Sequence, residues 1–320
     1  MNPGAPGCGP SAAPDAAALR PPGTVLVREV VRPSWPFRLG RASMDGLLRR
    51  RGDGLVRLLH AGGAPVVVAA AQPAPDHVVF AARAASEEIA RAGIERMRFV
   101  VGVDDDLREF HERFRDDPVI GAAVRAHPGL RVRRTPTPWE TLASAITEQL
   151  IEFERAVLIQ RRMIRALGRS WAGLRDGPPA HVIAAQAPAL LESFGLAPKR
   201  ALAMRRAAAE VAAGRIDWAD PNPRLLAIRE IGPWTVEMLA LHGLGRLDVV
   251  PAGDLGYLQL VGALHGKRVE VPEVREFFEP YAPWAGMAGA YLRLSRIPTR
   301  RPLRRAGTRS SMAPPRTVAA

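Results

Sequence analysis

The chain has 320 residues, 47% of them hydrophobic, enough for one large core or two to three smaller ones, and domain-size statistics favour the smaller cores. Its 45 lysines and arginines outweigh 32 acidic residues, and the formal charge of +13, carried almost wholly by arginine, suits a polyanion such as nucleic acid or reflects a composition rich in Arg, Ala, Gly and Pro. The single cysteine, Cys8, excludes an intramolecular disulfide and any multi-cysteine zinc or iron–sulfur site, and no apolar run approaches the ~20 residues that span a bilayer.

Residues 1–22 are mostly Ala, Gly and Pro, a composition that buries too little surface to order itself, so a disordered leader is expected there. It has no basic stretch followed by an apolar one, which makes the expected location cytoplasmic. Residues 23–110 read as a small α+β domain on an antiparallel sheet. The strand-like runs are Val25-Leu26-Val27, Leu55-Val56-Arg57-Leu58-Leu59, Val66-Val67-Val68, Val78-Val79-Phe80 and Met97-Arg98-Phe99-Val100-Val101, with one helix at about Ala84 to Arg91. Across residues 111–298 the periodicity is helical, which makes the whole chain α+β in class. Trp139, Leu142, Ile146 and Leu150 form one stripe after Pro138 at a helix start, and further helices are expected at about Glu152 to Leu167, Lys199 to Ala213, Pro233 to Leu244, Asp254 to Leu264 and Ala285 to Leu294. Residues 299–320 form an expected disordered basic tail. His60, His127 and His242 stand alone in the sequence and read as structural.

The segment from Leu225 to Glu237, LLAIREIGPWTVE, reads as a helix, a short turn with Gly232, and a second helix whose first position is Pro233. Such a hairpin gathers backbone N–H groups at the positive end of the second helix, an arrangement suited to a phosphate, although a helix-turn-helix without a ligand looks the same. About twenty residues on, Val249-Val250-Pro251-Ala252-Gly253-Asp254-Leu255-Gly256 delivers an aspartate to a helix start, where position alone makes Asp254 an N-cap and Asp248 a turn residue.

Hairpin, Gly/Pro loop and aspartate together resemble the helix-hairpin-helix DNA glycosylase superfamily, and within it the chain looks most like the 3-methyladenine DNA glycosylase II family of alkylation repair. Ala145-Ile146-Thr147-Glu148-Gln149-Leu150 looks like the family's helix end bearing Gln and a Leu wedge. Gly195-Leu196-Ala197-Pro198-Lys199-Arg200 resembles its helix entry, and the early sheet is similar to its N-terminal domain. The resemblance implies a monofunctional enzyme that flips an alkylated purine out of duplex DNA and hydrolyses its N-glycosidic bond. Asp254 is then the catalytic carboxylate. Trp234, Met238, Leu255 and Trp284 line the base pocket, Gln149 and Leu150 enter the duplex, and Ile231, Gly232 and Thr235 hold the DNA backbone.

Lyase-competent relatives carry lysine where this chain has Trp234, and an indole forms no Schiff base, so no lyase activity is expected. The resemblance implies no cofactor and no catalytic metal, leaves a monovalent cation at the hairpin open, and makes a monomer on damaged duplex DNA the expected working form. Trp234, Leu150 and Trp284 are also explained as ordinary core residues. The chain departs from the family at Glu230, where the hairpin has glycine, and at Met238 and Leu255, positions often aromatic. Those departures keep two alternatives in view: a non-catalytic protein that binds damaged or abasic DNA, and a glycosylase for uracil, hypoxanthine or an oxidised base.

Overall fold

The computed structural model of the chain describes residues 23–295 and 297; the expected leader and basic tail, with Cys8, lie outside the described residues. Strands β1 (Val25–Val31), β2 (Arg49–Arg51), β3 (Gly54–Ala61), β4 (Ala64–Ala74) and β5 (His77–Ala84) form one antiparallel sheet in the order β1-β5-β4-β3-β2. Helix α1 (Glu87–Val101) lies on one face, where Leu55, Val66, Val68, Phe80 and Ala82 meet Ala90, Ile94 and Met97. A Cβ on Gly93 would fall 2.7 Å from Val66 Cγ2, so the close approach of helix and sheet requires glycine there.

The structure corrects one expected strand. Met97 to Val101 is the last part of α1, whose buried residues Ala90, Gly93, Ile94, Met97 and Val100 follow a helical repeat. Ser86 caps the start by accepting the Ile89 N–H, and Gly102, at φ 67°, ends the helix in the left-handed region. The β-forming residues Phe99 and Val101 suggest a strand locally, but the apolar stripe begun at Ala90 decides the outcome.

The rest of the described chain is almost wholly helical, and the fold is α+β. In order come α2 (Arg108–Phe114), α3 (Gly121–Ala126), α4 (Pro138–Glu148) and α5 (Phe153–Leu167), then a two-stranded ribbon of β6 (Ser170–Trp171) and β7 (Leu174–Arg175). After it follow α6 (Ala180–Ala184), α7 (Pro188–Ser193), α8 (Pro198–Ala212), α9 (Asn222–Leu226) and α10 (Pro233–Met238). Helix α10 continues into a π turn, Leu239–Gly243, and α11 (Leu255–His265), α12 (Val271–Phe278) and α13 (Ala285–Leu292) complete the fold. Leu174 of the ribbon covers Val56, Leu58 and Val67, so β3 is buried on both faces of the sheet.

Two separate cores organise the helices. One gathers Leu142 and Ile146 of α4, Met163, Leu191, Met204, Ile231, Val236 and Leu239. The other joins Phe110, Ile120 and Val124, which precede α4 in the chain, to Leu241, Tyr257, Val261, Phe278 and Tyr291 near its end. The hairpin belongs to the first core and Asp254 starts a helix of the second, so the two meet at their junction.

Candidate active site

Helix α9 leads through Ala227–Gly232 into α10, and the turn is closed by Ile228 N–H on the Leu225 carbonyl and Ile231 N–H on the Ile228 carbonyl, both at 3.0 Å. Glu230 occupies the tip at φ 74°, a left-handed conformation that favours glycine. Thr235 is 1% exposed and Ile231 5%, and their amides bond to the Gly232 and Ile228 carbonyls. The amides of Gly232 and Trp234 make no hydrogen bond among the described residues. Of Ile231, Gly232 and Thr235, only Gly232 keeps an amide without a hydrogen bond among the described residues, as does Trp234 beside it.

Helix α4 ends at Glu148, and the chain breaks away immediately. Gln149 has φ −53° and ψ 123°, while Leu150 stands at φ 54° with 97% of its surface exposed. The apolar stripe does not continue through Leu150, which removes the packing explanation of this side chain. Gln149 turns instead toward the hairpin and donates its amide to the Glu230 carbonyl and the Thr235 hydroxyl, each at 2.9 Å.

The Gly/Pro loop carries Asp254 to the first turn of α11. Its Oδ1 accepts the Gly256 N–H at 2.8 Å, the N-cap interaction the spacing suggests, and also a guanidinium N–H of Arg293 at 2.8 Å. Trp234 sits directly against the loop, since a Cβ on Gly253 would lie 3.6 Å from its Cβ. The indole Nε1 atoms of Trp234 and Trp284 are both buried with no hydrogen-bond partner among the described residues. Trp284 also packs edge-on to Phe110 at 6.0 Å, so it serves the second core as well. Met238 is half-buried, whereas Leu255 is 67% exposed and stands in solvent beside the loop. Asp248 occupies a turn and pairs with Arg246 at 2.8 Å.

Electrostatics near the loop depend on burial. Desolvation pushes the Glu237 carboxyl up, opposed by Arg275 of α12 at 2.5 Å. Burial alone would lower Arg293, but Tyr257 and Asp254 outweigh it and hold the guanidinium above its ordinary range. Among the described residues no three or more His, Cys, Asp or Glu side chains gather to hold a metal ion, and no helix is long and apolar enough to cross a membrane.

A buried charged cluster elsewhere has no counterpart in the sequence reading. Arg57 of β3 pairs with Glu140 of α4, His60 Nδ1 meets Asp176 at 2.7 Å, and Arg169 reaches Asp176 at 3.1 Å. His60 is thus not isolated. Of these, Glu140, His60, Asp176 and Arg169 border a cavity of about 300 Å³ among β3, α4 and α5, whose lining includes none of Asp254, Trp234, Leu255 or Trp284. Partners more than 80 positions apart, such as Arg57 and Glu140, leave no local signal.

A sheet beside two helical cores, with the hairpin helix packed on the Gly/Pro loop that carries Asp254, is a fold shared with a solved DNA glycosylase. A 3-methyladenine DNA glycosylase from Archaeoglobus fulgidus shares the fold with a TM-score of 0.73 at 20% identity, over 83% of this chain and 97% of that one. In sequence the chain resembles the 3-methyladenine DNA glycosylase II family. A protein of Bacillus subtilis (strain 168) named DNA-3-methyladenine glycosylase is 26% identical over 204 residues, 59% of this chain and 67% of that protein. A Mycobacterium tuberculosis (strain CDC 1551 / Oshkosh) protein named probable bifunctional transcriptional activator/DNA repair enzyme AlkA is 28% identical over 288 residues, 84% of this chain. The chain spans 57% of that mycobacterial relative's length. No protein-family model matches the chain.

Proposed function

We propose that the protein is a DNA glycosylase that flips an alkylated purine out of duplex DNA and hydrolyses its N-glycosidic bond, leaving an abasic site. The observation that carries this reading is Asp254, held at the start of α11 by a loop packed on Trp234 of the hairpin helix. A carboxylate there stabilises the positive charge that develops at C1′ as the bond to the base breaks, and orients the attacking water. Trp234 supplies no amine nucleophile, so the reaction ends at hydrolysis, without strand cleavage.

The remaining residues fit the same sequence of events. Exposed Leu150 fills the gap left by the extruded nucleotide, and the Gly232 and Trp234 amides receive a backbone phosphate. Buried polar atoms without partners are rare in folded proteins, and the two orphan indole N–H groups fit a pocket whose acceptors arrive with the base. The working form is a monomer on damaged duplex DNA.

Base release from methylated duplex DNA, separated by chromatography, tests the reading. Wild type should release 3-methyladenine or 7-methylguanine and Asp254→Asn should release neither while still binding abasic duplex. Equal release by both proteins, or release by neither, removes the assignment.

A further inference from the structure

The two oxygens of the Asp254 carboxylate have different surroundings. Oδ1 takes both donors, the Gly256 amide and Arg293, whereas Oδ2 has no hydrogen-bond partner among the described residues. A single N-cap bond leaves a carboxyl group free to rotate about Cβ–Cγ; a second, charged donor on the same oxygen limits that rotation. Arg293 is itself fixed. Its guanidinium carbon lies 4.2 Å from the centroid of the Tyr257 ring, and that tyrosine is 2% exposed and packed edge-on to Phe278 at 5.5 Å.

The approach of the guanidinium also depends on Gly256. A Cβ at that position would lie 2.9 Å from Arg293 Nη1 and 3.0 Å from Asp254 Oδ1, so a larger residue crowds the pair and requires the end of the Arg293 side chain to shift. Gly256 has no left-handed φ, which means that its backbone conformation is open to alanine and that the close packing is what calls for glycine.

We infer that Arg293 is a positioning residue for Asp254: it pins Oδ1 so that Oδ2 points to the sugar of the flipped nucleotide. The inference rests on the reading of Asp254 as the catalytic carboxylate. The Arg293 side chain is 45% exposed, and the solvent that reaches it screens its repulsion of the positive charge forming at C1′ while the hydrogen bond keeps its directional effect. The restraint runs from Phe278 through Tyr257 and Arg293 to the carboxylate, so residues on α11, α12 and the end of α13 share in setting one torsion angle.

Single-turnover base release from methylated duplex DNA, with binding to abasic duplex measured in parallel, tests the inference on wild type, Asp254→Asn, Arg293→Met, Arg293→Lys and Gly256→Ala. Arg293→Met and Gly256→Ala should each slow release about 10- to 100-fold, as misorientation of a reacting group does, with abasic-DNA affinity and thermal midpoint near wild type. Arg293→Lys, which keeps the charge and one donor, should recover part of the loss. If Asp254→Asn is inactive while Arg293→Met and Gly256→Ala release base at the wild-type rate, Arg293 has no positioning role. If Arg293→Met weakens abasic-DNA binding as much as it slows release, the residue binds DNA and the inference is wrong. Activity in Asp254→Asn, or none in wild type, removes the underlying reading and this inference with it.

Discussion

Gln149 and Thr235 are joined by a hydrogen bond of 2.9 Å that ties the end of α4 to the first turn of α10. The same Gln149 amide holds the Glu230 carbonyl, so one side chain fixes the exposed Leu150 relative to the hairpin. Gln149→Ala should cost about 1–2 kcal/mol of stability, the loss of two net hydrogen bonds, and should slow base release from duplex more than from single-stranded DNA. Urea midpoints and release rates on the two substrates measure both effects.

Leu150 combines full exposure with a left-handed backbone. Placing an L-residue there costs roughly 1–2 kcal/mol, against about 0.5–1 kcal/mol for the greater entropy lost by glycine. Leu150→Gly should therefore leave the folded protein as stable as wild type or up to about 1.5 kcal/mol more stable, yet release base markedly more slowly because nothing fills the vacated stack. Loss of stability would place the side chain in packing after all.

Glu230 sets strain and negative charge at the hairpin tip, where Arg229 approaches it at only 3.7 Å. Glu230→Gly relieves both and retains the carbonyl that Gln149 uses. Duplex affinity should rise several-fold at low salt, with the gain shrinking as salt increases, because the removed repulsion is screened over about 10 Å at 0.1 M. A titration by fluorescence anisotropy at two salt concentrations would detect it.

Below neutrality two sets of buried groups should act on stability in opposite directions. Burial lowers the imidazole of His242, helped by the charges of Arg293 and Arg133 and opposed by its hydrogen bond to the Arg133 carbonyl and by Asp254. Burial and Arg131 lower His111 likewise. For such groups the stabilising contribution is complete above the unfolded value of about 6.5 and is lost as pH falls through the folded one. Glu140 has the opposite sign: burial, against the pull of Arg57, raises it to about 7, so its contribution is complete below the ordinary carboxylate range and fades as pH rises through about 7. Urea midpoints from pH 5.5 to 8.5 should show a smaller loss on acidification in His242→Asn, and in Glu140→Gln a smaller loss as pH rises from 5.5 to about 7.

What was legible in the sequence follows the reach of each interaction. Gly232-Pro233 and Pro251-Ala252-Gly253-Asp254 announce a turn and a helix start because proline and glycine act on the backbone within a few residues, and both appear where expected. Leu150 is ambiguous in sequence, since a stripe at helical spacing carries no mark of where its helix stops; in the structure α4 ends at Glu148, before it. The Arg57–Glu140 pair and the Arg293 contact to Asp254 join residues distant in the chain, and no local pattern encodes them. Met97 to Val101 looks strand-like because a five-residue window cannot show that its apolar positions continue a repeat begun at Ala90.

The core beneath Asp254 is assembled from Phe110, Ile120 and Val124 on one side and from Leu241 to Tyr291 on the other, with the whole first helical core emerging between them. On a ribosome, α2 and α3 appear long before their partners, so their apolar surfaces must wait for more than a hundred residues of synthesis. Such long-range closure slows folding, because loop entropy is lost before the contacts form. The helix that Asp254 begins would thus be among the last parts of the described chain to become ordered, which delays formation of a competent site until the hairpin beside it is already built.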